Sequence, residues 1–163
     1  MTVRDARDKA AEDPPATDTT GAYVALWRAA DWLARDVERL LAGHGLTGPQ
    51  YNVLRILRGA ARQAHTDGLP CSEVGARMIT RDPDMTRLLA GLEKRKFISR
   101  TRDPEDRRVI KVRITPQGAG VLAGLDKPIR DLHQRQMKVL SGVQLRQLVA
   151  LLEKLRQSGN PAG

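Results

Sequence analysis

The strongest structural signal in the sequence is the stretch Asp106-Arg107-Arg108-Val109-Ile110-Lys111-Val112-Arg113-Ile114-Thr115. It begins with alternating charges, which are typical of a turn, and continues as a short β-branched run with Lys111 and Arg113 between the apolar residues. It ends at Thr115-Pro116, a pair that favours the start of a helix. We therefore predict a basic turn on a returning β-strand, followed directly by a helix.

Two short helices and a first β-strand are predicted immediately upstream of this turn. Residues 72–78 form the first helix, and the second runs from Pro83 to about Lys96 with its apolar residues on one face. Residues 97–101 form a β-run, and residues 108–114 form the returning strand. Two helices followed by a ribbon with a basic turn are typical of a winged helix-turn-helix, whose second helix enters the major groove of DNA.

Amphipathic helices are predicted on both sides of this unit. On the amino-terminal side, apolar residues recur at three- and four-residue steps from about Thr20 to Ala42. Thr47 and Gln50 then have the spacing of a capping box, which starts a second helix that lasts to about Gln63.

On the carboxyl-terminal side, Pro116 opens a long helix that Pro128 should kink or split, because proline removes a backbone donor and clashes with the preceding turn. Ser141 and Gln144 repeat the capping box before a last helix. A winged domain of roughly 70 residues cannot bury the apolar stripes of the first helix and the last two, so we expect these helices to pair in a homodimer. The residues expected in this contact are Leu132, Leu145, Leu148, Leu152 and Leu155.

The predicted fold is therefore mainly α with a small β-wing, a winged helix-turn-helix flanked by N- and C-terminal dimerisation helices. Residues 1–18 are charged and poor in large apolar side chains, which predicts a disordered tail. Residues 19–45 and 116–158 form the helical dimerisation region. Residues 46–115 form the DNA-binding domain.

Composition limits the classes of partner. The 163 residues can bury one core, and 28 Lys and Arg against 19 Asp and Glu give a formal charge of +9. This charge favours nucleic acid first and an anionic membrane surface second. The 3% content of aromatic residues argues against single-strand binding by stacked bases. With a single cysteine, no apolar run of about 20 residues and no signal core, we expect a cytoplasmic protein that does not enter a membrane.

No catalytic, metal or cofactor site is predicted. His44, His65 and His133 lack the spacing of metal ligands, and no nucleophile–base set is evident. The glycines of residues 118–124 superficially resemble a dinucleotide loop, but no second parallel strand follows them. Cys71 is interpreted as a small packing residue rather than a redox centre, although a helix start at this position would lower its pKa.

The sequence also resembles the MarR family of bacterial transcription regulators from about Ala22 to Leu155. The wing signature is matched by Asp106, Arg108, Val112 and Thr115, with Ile114 in place of Leu. Residues 46–54 are similar to the second helix of the family, residues 85–95 to its recognition helix, and residues 115–118 to the segment that closes its wing. Gly91 stands where an Asp is common, and Lys96 where a Gly often precedes the wing.

This resemblance implies that Arg108 reaches the minor groove of DNA and that Asp106 orients it, which agrees with the attraction of arginine to a narrow minor groove. On the recognition helix, arginine can read a guanine edge and threonine can contact phosphate or a thymine methyl. Asp82 is a candidate N-cap, and Asp84 can accept from cytosine or fix an arginine. The predicted DNA-binding residues are Arg81, Asp84, Thr86, Arg87, Arg102, Asp106, Arg107 and Arg108.

The resemblance further implies an anionic or aromatic effector bound between the dimer helices and the winged domain. Indole faces and guanidinium groups suit an aromatic carboxylate, and the residues of this type are Trp27, Arg28, Trp32, Arg35 and Tyr51. The alternative is that both tryptophans belong to the dimer core.

We therefore expect a homodimeric regulator, of repressor type, that binds a pseudo-palindromic DNA duplex and has no enzymatic activity. The alternative is a winged-helix module that binds an acidic protein through its basic wing. A small enzyme is the third hypothesis, which no catalytic constellation supports.

Overall fold

The computed structural model of the chain describes residues 18–63, 67–79 and 84–158. Within these ranges it is mainly helical with a small antiparallel sheet, so the predicted fold class is confirmed. The elements are α1 (Thr19–Gly43), α2 (Gly48–Arg62), β1 (Leu69–Pro70), α3 (Cys71–Ala76), α4 (Met85–Lys94), β2 (Ile98–Arg102), β3 (Ile110–Ile114), α5 (Pro116–Met137) and α6 (Gly142–Ser158). The predicted tail lies outside the described residues except for Asp18.

The chain divides into two compact units between Asp36 and Val37, within α1. In the first unit the carboxylate of Asp18 accepts a hydrogen bond from the backbone N–H of Gly21 at 2.7 Å and so caps the start of α1. The large apolar side chains here are exposed in the single chain, and they are Tyr23, Val24, Leu26, Trp27 and Trp32.

In the second unit, α2 lies at the centre of the core and contacts α3, α4, α5 and β3. Its Val53 and Leu54 are fully buried, as are Leu92 of α4 and Leu125 of α5. The apolar residues of these helices recur every three or four positions, so each helix turns one face inward. The core thereby fixes α4 and the sheet against the same central helix.

Both predicted capping boxes are confirmed. The backbone N–H of Gln50 donates to Thr47 Oγ1 at 3.4 Å, and the N–H of Thr47 donates to Gln50 Oε1 at 3.1 Å. Gln144 and Ser141 make the same reciprocal pair at the start of α6, at 3.3 and 2.8 Å. Each box satisfies two backbone donors that the first helical turn leaves without an internal partner.

The sheet has three strands in the order β1-β3-β2, whereas the sequence predicted only the ribbon of β2 and β3. Leu69 pairs with Val112, so residues 69–70 contribute an edge strand beside β3. Gly68 makes this approach possible: its φ is +91°, and a Cβ there would lie 2.5 Å from the carbonyl oxygen of Val112. A two-residue strand has too few positions for a period to be detected.

Helix α5 continues through Pro128 and is not split there. Its inward face carries Leu122, Leu125, Ile129 and Leu132. Leu132, predicted at the dimer contact, is only 6% exposed in the single chain. Its three-residue step from Ile129 places it on the buried stripe of α5, and it therefore leaves little surface for a partner.

Candidate nucleic-acid interface

Helix α4 presents a polar face away from the core. Leu89 and Leu92 are buried on its inner side, whereas Thr86 and Arg87 are exposed. The helix begins at Asp84, whose Oδ1 accepts from the backbone N–H of Arg87 at 2.9 Å. Asp84 is therefore the N-cap, a role that the sequence interpretation gave to Asp82, two residues earlier.

Residues 80–83 lie outside the described part of the chain, and with them the predicted contact Arg81 and the residue Asp82. On the α3 side of this gap, the backbone N–H of Ile79 donates to Asn52 Oδ1 of α2 at 2.9 Å. On the other side, Glu93 near the end of α4 accepts hydrogen bonds from the guanidinium of Arg100 on β2. A side chain of α2 thus holds the turn that follows α3, and a side chain of β2 holds the carboxyl-terminal end of α4.

The turn between β2 and β3 exposes the predicted wing arginines. Oδ1 of Asp106 accepts from the backbone N–H of Arg108 at 3.0 Å and from its Nε at 3.3 Å. The Arg108 side chain is nevertheless 93% exposed, and Arg102 and Arg107 are exposed too. Asp106 therefore holds the backbone N–H and the Nε of Arg108 and leaves most of the guanidinium open to a ligand.

Sequence reasoning missed the part that Asp103 plays in this turn. Its Oδ1 accepts from the backbone N–H groups of Glu105 at 2.8 Å and Asp106 at 3.1 Å. It also forms an ion pair with Lys111 of β3 in which Oδ2 and Nζ are 2.6 Å apart. The hydrogen bond from Lys111, followed by those from the two backbone amides, lowers the pKa of Asp103 to about 2. The Asp103-Pro104 pair is the sequence signal for such a turn.

A groove of about 550 Å³ lies between the start of α4 and the base of the wing. Its lining brings Thr86 of α4 together with Arg108, Val109 and Ile110 of the wing. The exposed side of the recognition helix and the wing arginine are thus parts of one continuous surface.

Cys71 lines the same groove from the start of α3. Burial raises the pKa of its thiol, and the nearby Arg100 only partly opposes that effect. The expectation that the helix start would lower this pKa is wrong, because α3 has only six residues and desolvation outweighs its dipole. A half-buried neutral thiol agrees with the packing interpretation.

The predicted dimer residues of α6 form a side that the single chain leaves uncovered. Leu145 and Leu148 are half-buried, whereas Leu152 is 37% and Leu155 60% exposed. Leu151, which the sequence also places on the apolar stripe of this helix, is 62% exposed, and Val143 and Val149 are exposed too. Every side chain of α6 is exposed or half-buried.

The predicted effector residues are divided between the two units. Trp27 and Trp32 are 62% and 54% exposed in the first unit, where Trp27 makes an edge contact with Tyr23 at 5.8 Å between ring centroids. Arg28 is exposed, and Arg35 pairs with Asp31 one turn away. Tyr51 belongs to the second unit, and the guanidinium of Arg55 lies 5.8 Å from its ring centroid.

Two other kinds of site are absent from residues 18–63, 67–79 and 84–158. No group of three or more His, Cys, Asp or Glu side chains is placed there to hold a metal ion. No helix within these ranges is both long and apolar enough to span a bilayer.

A buried core around α2, a helix α4 with a polar outer face and a basic wing define a winged helix-turn-helix protein. The sequence model of the MarR family matches residues 46–110. A crystal structure of a MarR transcription factor from Planctomyces limnophilus is 36% identical, with a TM-score of 0.65 over 84% of this chain and 96% of that one.

Two curated relatives carry related names. The HTH-type transcriptional repressor IacR of Pseudomonas putida is 30% identical over 75% of this chain and 74% of its own length. The HTH-type transcriptional regulator TtmR of Methylorubrum extorquens (strain PA1) is 33% identical over 71% of this chain, but the match spans only 55% of TtmR. The chain belongs to the MarR family of transcription regulators, as its wing signature predicted.

Proposed function

We propose that this chain is a non-enzymatic, homodimeric repressor that binds double-stranded DNA in a sequence-specific manner. The observation that carries the proposal is Arg108, 93% exposed and held by Asp106 on the surface that also includes Thr86 of α4. A guanidinium presented in this way suits the negative potential of a narrow minor groove. IacR is named a transcriptional repressor, which supports repression rather than activation by this chain. Binding to chromosomal DNA would place the protein in the cytoplasm.

The recognition helix α4 and the wing would contact different parts of the DNA. Thr86 and Arg87 face outward on the first turn of α4, where side chains of a recognition helix reach base edges and phosphates. Arg81 would add a contact just before this helix, and Asp84 would act by capping it. Arg102, Arg107 and Arg108 would bind the backbone and the minor groove, with Asp106 as the residue that orients Arg108.

The homodimer follows from the uncovered apolar side of α6. Pairing these side chains across a two-fold axis would remove them from water and would place two copies of α4 about one helical turn of DNA apart. The expected site is therefore a pseudo-palindrome.

The test is duplex binding measured by fluorescence anisotropy, on a sequence selected from a random duplex pool. Arg108→Ala should weaken binding to most sequences, whereas Arg87→Ala should lose preference at one base pair, by roughly 1–3 kcal/mol. Arg146→Ala removes an exposed arginine of α6 and serves as the control for net charge. Wild-type affinity in Arg108→Ala contradicts the wing assignment, and the absence of salt-dependent duplex binding by the wild type favours the protein-interaction alternative.

We also propose that an aromatic anion regulates this binding through Trp27, Arg28, Trp32, Arg35 and Tyr51. Exposed indole faces suit an aromatic ring, and guanidinium groups suit a carboxylate. An effector acts as a switch only if it prefers the form of the dimer that does not bind DNA. In the same assay, phenolic acids should quench tryptophan fluorescence and release the duplex together. Quenching without release would leave a pocket that is not a switch.

A further inference from the structure

Asp103 is the most covered carboxylate of the wing turn. Its side chain is 14% exposed, whereas that of Asp106 is 50% exposed and Glu105 is an exposed residue. Both of its carboxylate oxygens are used, one by the backbone N–H groups of Glu105 and Asp106 and the other by Lys111. The two backbone hydrogen bonds are those of a common turn, and the ion pair with Lys111 adds a link from this turn to β3.

A continuous chain of contacts leads from Asp103 to Arg108. Asp103 accepts from the backbone N–H of Asp106, and the carboxylate of Asp106 accepts from the N–H and Nε of Arg108. Two backbone hydrogen bonds, both 2.9 Å long, close the turn. The N–H of Asp103 donates to the carbonyl oxygen of Val109, and the N–H of Val109 donates to the carbonyl oxygen of Asp106. The position of the arginine therefore depends on where Asp103 holds the turn.

We propose that Asp103 and Lys111 form a positioning pair that sets the DNA affinity of the wing, with neither side chain itself contacting DNA. The inference rests on the proposed function, since it assigns the control of the same DNA-binding surface. Lys111 takes part as the partner that anchors Asp103 to β3, and its side chain is only 27% exposed. Both ends of the pair therefore act through Arg108.

The direction in which DNA affinity changes when Asp103 is removed distinguishes positioning from simple electrostatics. DNA is a polyanion, so removal of an acid near it should tighten binding if charge alone matters. Loss of the positioning pair should instead weaken binding, because Arg108 must then lose more conformational freedom when it enters the groove.

The salt dependence of DNA affinity in Lys111 variants is a second test that distinguishes positioning from direct phosphate contact. A lysine that neutralises a phosphate contributes about one unit to the slope of log affinity against log salt concentration. A lysine that acts only on Asp103 contributes to affinity and leaves this slope unchanged.

The experiment measures duplex affinity and its salt dependence for four variants. Asp103→Ala should weaken binding on the order of tenfold. Asp103→Asn should weaken it less, because the amide oxygen can still accept from the two backbone N–H groups. Lys111→Met should weaken it with an unchanged salt slope. Glu105→Gln removes the neighbouring negative charge without touching the pair, and should bind as the wild type or more tightly.

A double-mutant cycle identifies the route of the effect. In an Arg108→Ala background, Asp103→Ala should cause no further loss of affinity, because it acts through Arg108. Circular dichroism checks that each variant is folded, and Asp103→Asn and Lys111→Met keep the test open if Asp103→Ala does not fold. Unchanged or tighter binding by Asp103→Ala, a lower salt slope in Lys111→Met, or an additive loss in the cycle overturns the inference alone. A wild type that binds no duplex overturns the proposed function together with it.

Discussion

At the scale of single residues, Gly118 determines how the wing is closed onto α5. The hydroxyl of Thr115 donates to the carbonyl oxygen of Lys96 at 2.6 Å and accepts from the backbone N–H of Gly118 at 3.1 Å. This draws the first turn of α5 against the backbone of Phe97. A Cβ at Gly118 would lie 2.2 Å from the carbonyl oxygen of Phe97, so only glycine fits there.

We predict that Gly118→Ala destabilises the fold by roughly 1–3 kcal/mol, because the rigid backbone of Phe97 must move to admit a methyl group. Gly120 lies two residues further along α5, and a Cβ there would meet open space. Gly120→Ala should therefore stabilise the protein by about 0.5–1 kcal/mol through helix propensity. Urea unfolding followed by circular dichroism should give changes of opposite sign, and equal signs would contradict the close approach at Gly118.

Residue roles that depend on near neighbours in sequence could be predicted, and roles that depend on packing could not. The capping boxes involve residues three positions apart, so their spacing predicted them, and the Asp106–Arg108 pair, two positions apart, was implied by the family resemblance. The pKa of Cys71 instead depends on desolvation by distant elements, which no local pattern records. Asp103 belongs to both groups, since its turn is local and its partner Lys111 lies on the next strand.

At the scale of elements, the longer helices and the ribbon were predicted because their apolar periods extend over many residues. Strand β1 was missed because two residues carry no period, and the start of α4 was misplaced because Asp82 and Asp84 are both good caps. Pro128 did not split α5, whose buried side chains on both sides of it join one core and offset the lost hydrogen bond.

The ion pair between α2 and α5 could not be predicted from the sequence either. Arg58 donates to both carboxylate oxygens of Asp126 at 2.8 Å, across 68 positions of the chain. The Arg58 side chain is 19% exposed, so the pair lies partly within the protein. The hydrogen bonds from Arg58, and then its charge, lower the pKa of Asp126 despite the opposing effect of burial. This pair joins the DNA-binding region to the long helix that leads into α6.

We predict that Asp126→Asn lowers the free energy of unfolding at pH 7 by about 1 kcal/mol, a value discounted for the 41% exposure of Asp126. The folded pKa of Asp126 is below its unfolded value, so its contribution is complete above about pH 5 and is lost as pH falls through the folded pKa. The difference between wild type and variant should therefore shrink below about pH 4. The midpoints of urea unfolding from pH 7 to pH 3 measure this stability difference. Glu153→Gln, which alters an exposed carboxylate of α6, is the control.

At the scale of the whole molecule, the residues that the structure describes include two apolar surfaces that the single chain leaves open. One is formed by Tyr23 and Trp27 of the first unit, whose rings are in edge contact, and the other is the exposed side of α6. Large apolar side chains that are exposed together on one surface mark an interaction site. The sequence predicted that the stripe of α6 meets a second copy, but it could not show which leucines stay exposed, because a periodic stripe looks the same whether its partner belongs to the same chain or to another.

We predict that Leu152→Glu combined with Leu155→Glu converts a dimer into a monomer and abolishes specific DNA binding. These two leucines are the exposed ones among the predicted dimer residues of α6, so the charges should remain solvated in the monomer and oppose only the contact with a partner. Ala150→Glu with Gln157→Glu adds the same charge on the opposite side of α6, and should leave the dimer intact. Light scattering at micromolar concentration measures the mass, and anisotropy measures duplex binding. A wild type that is already monomeric, or a leucine variant that still dimerises, would show that α6 does not form the interface.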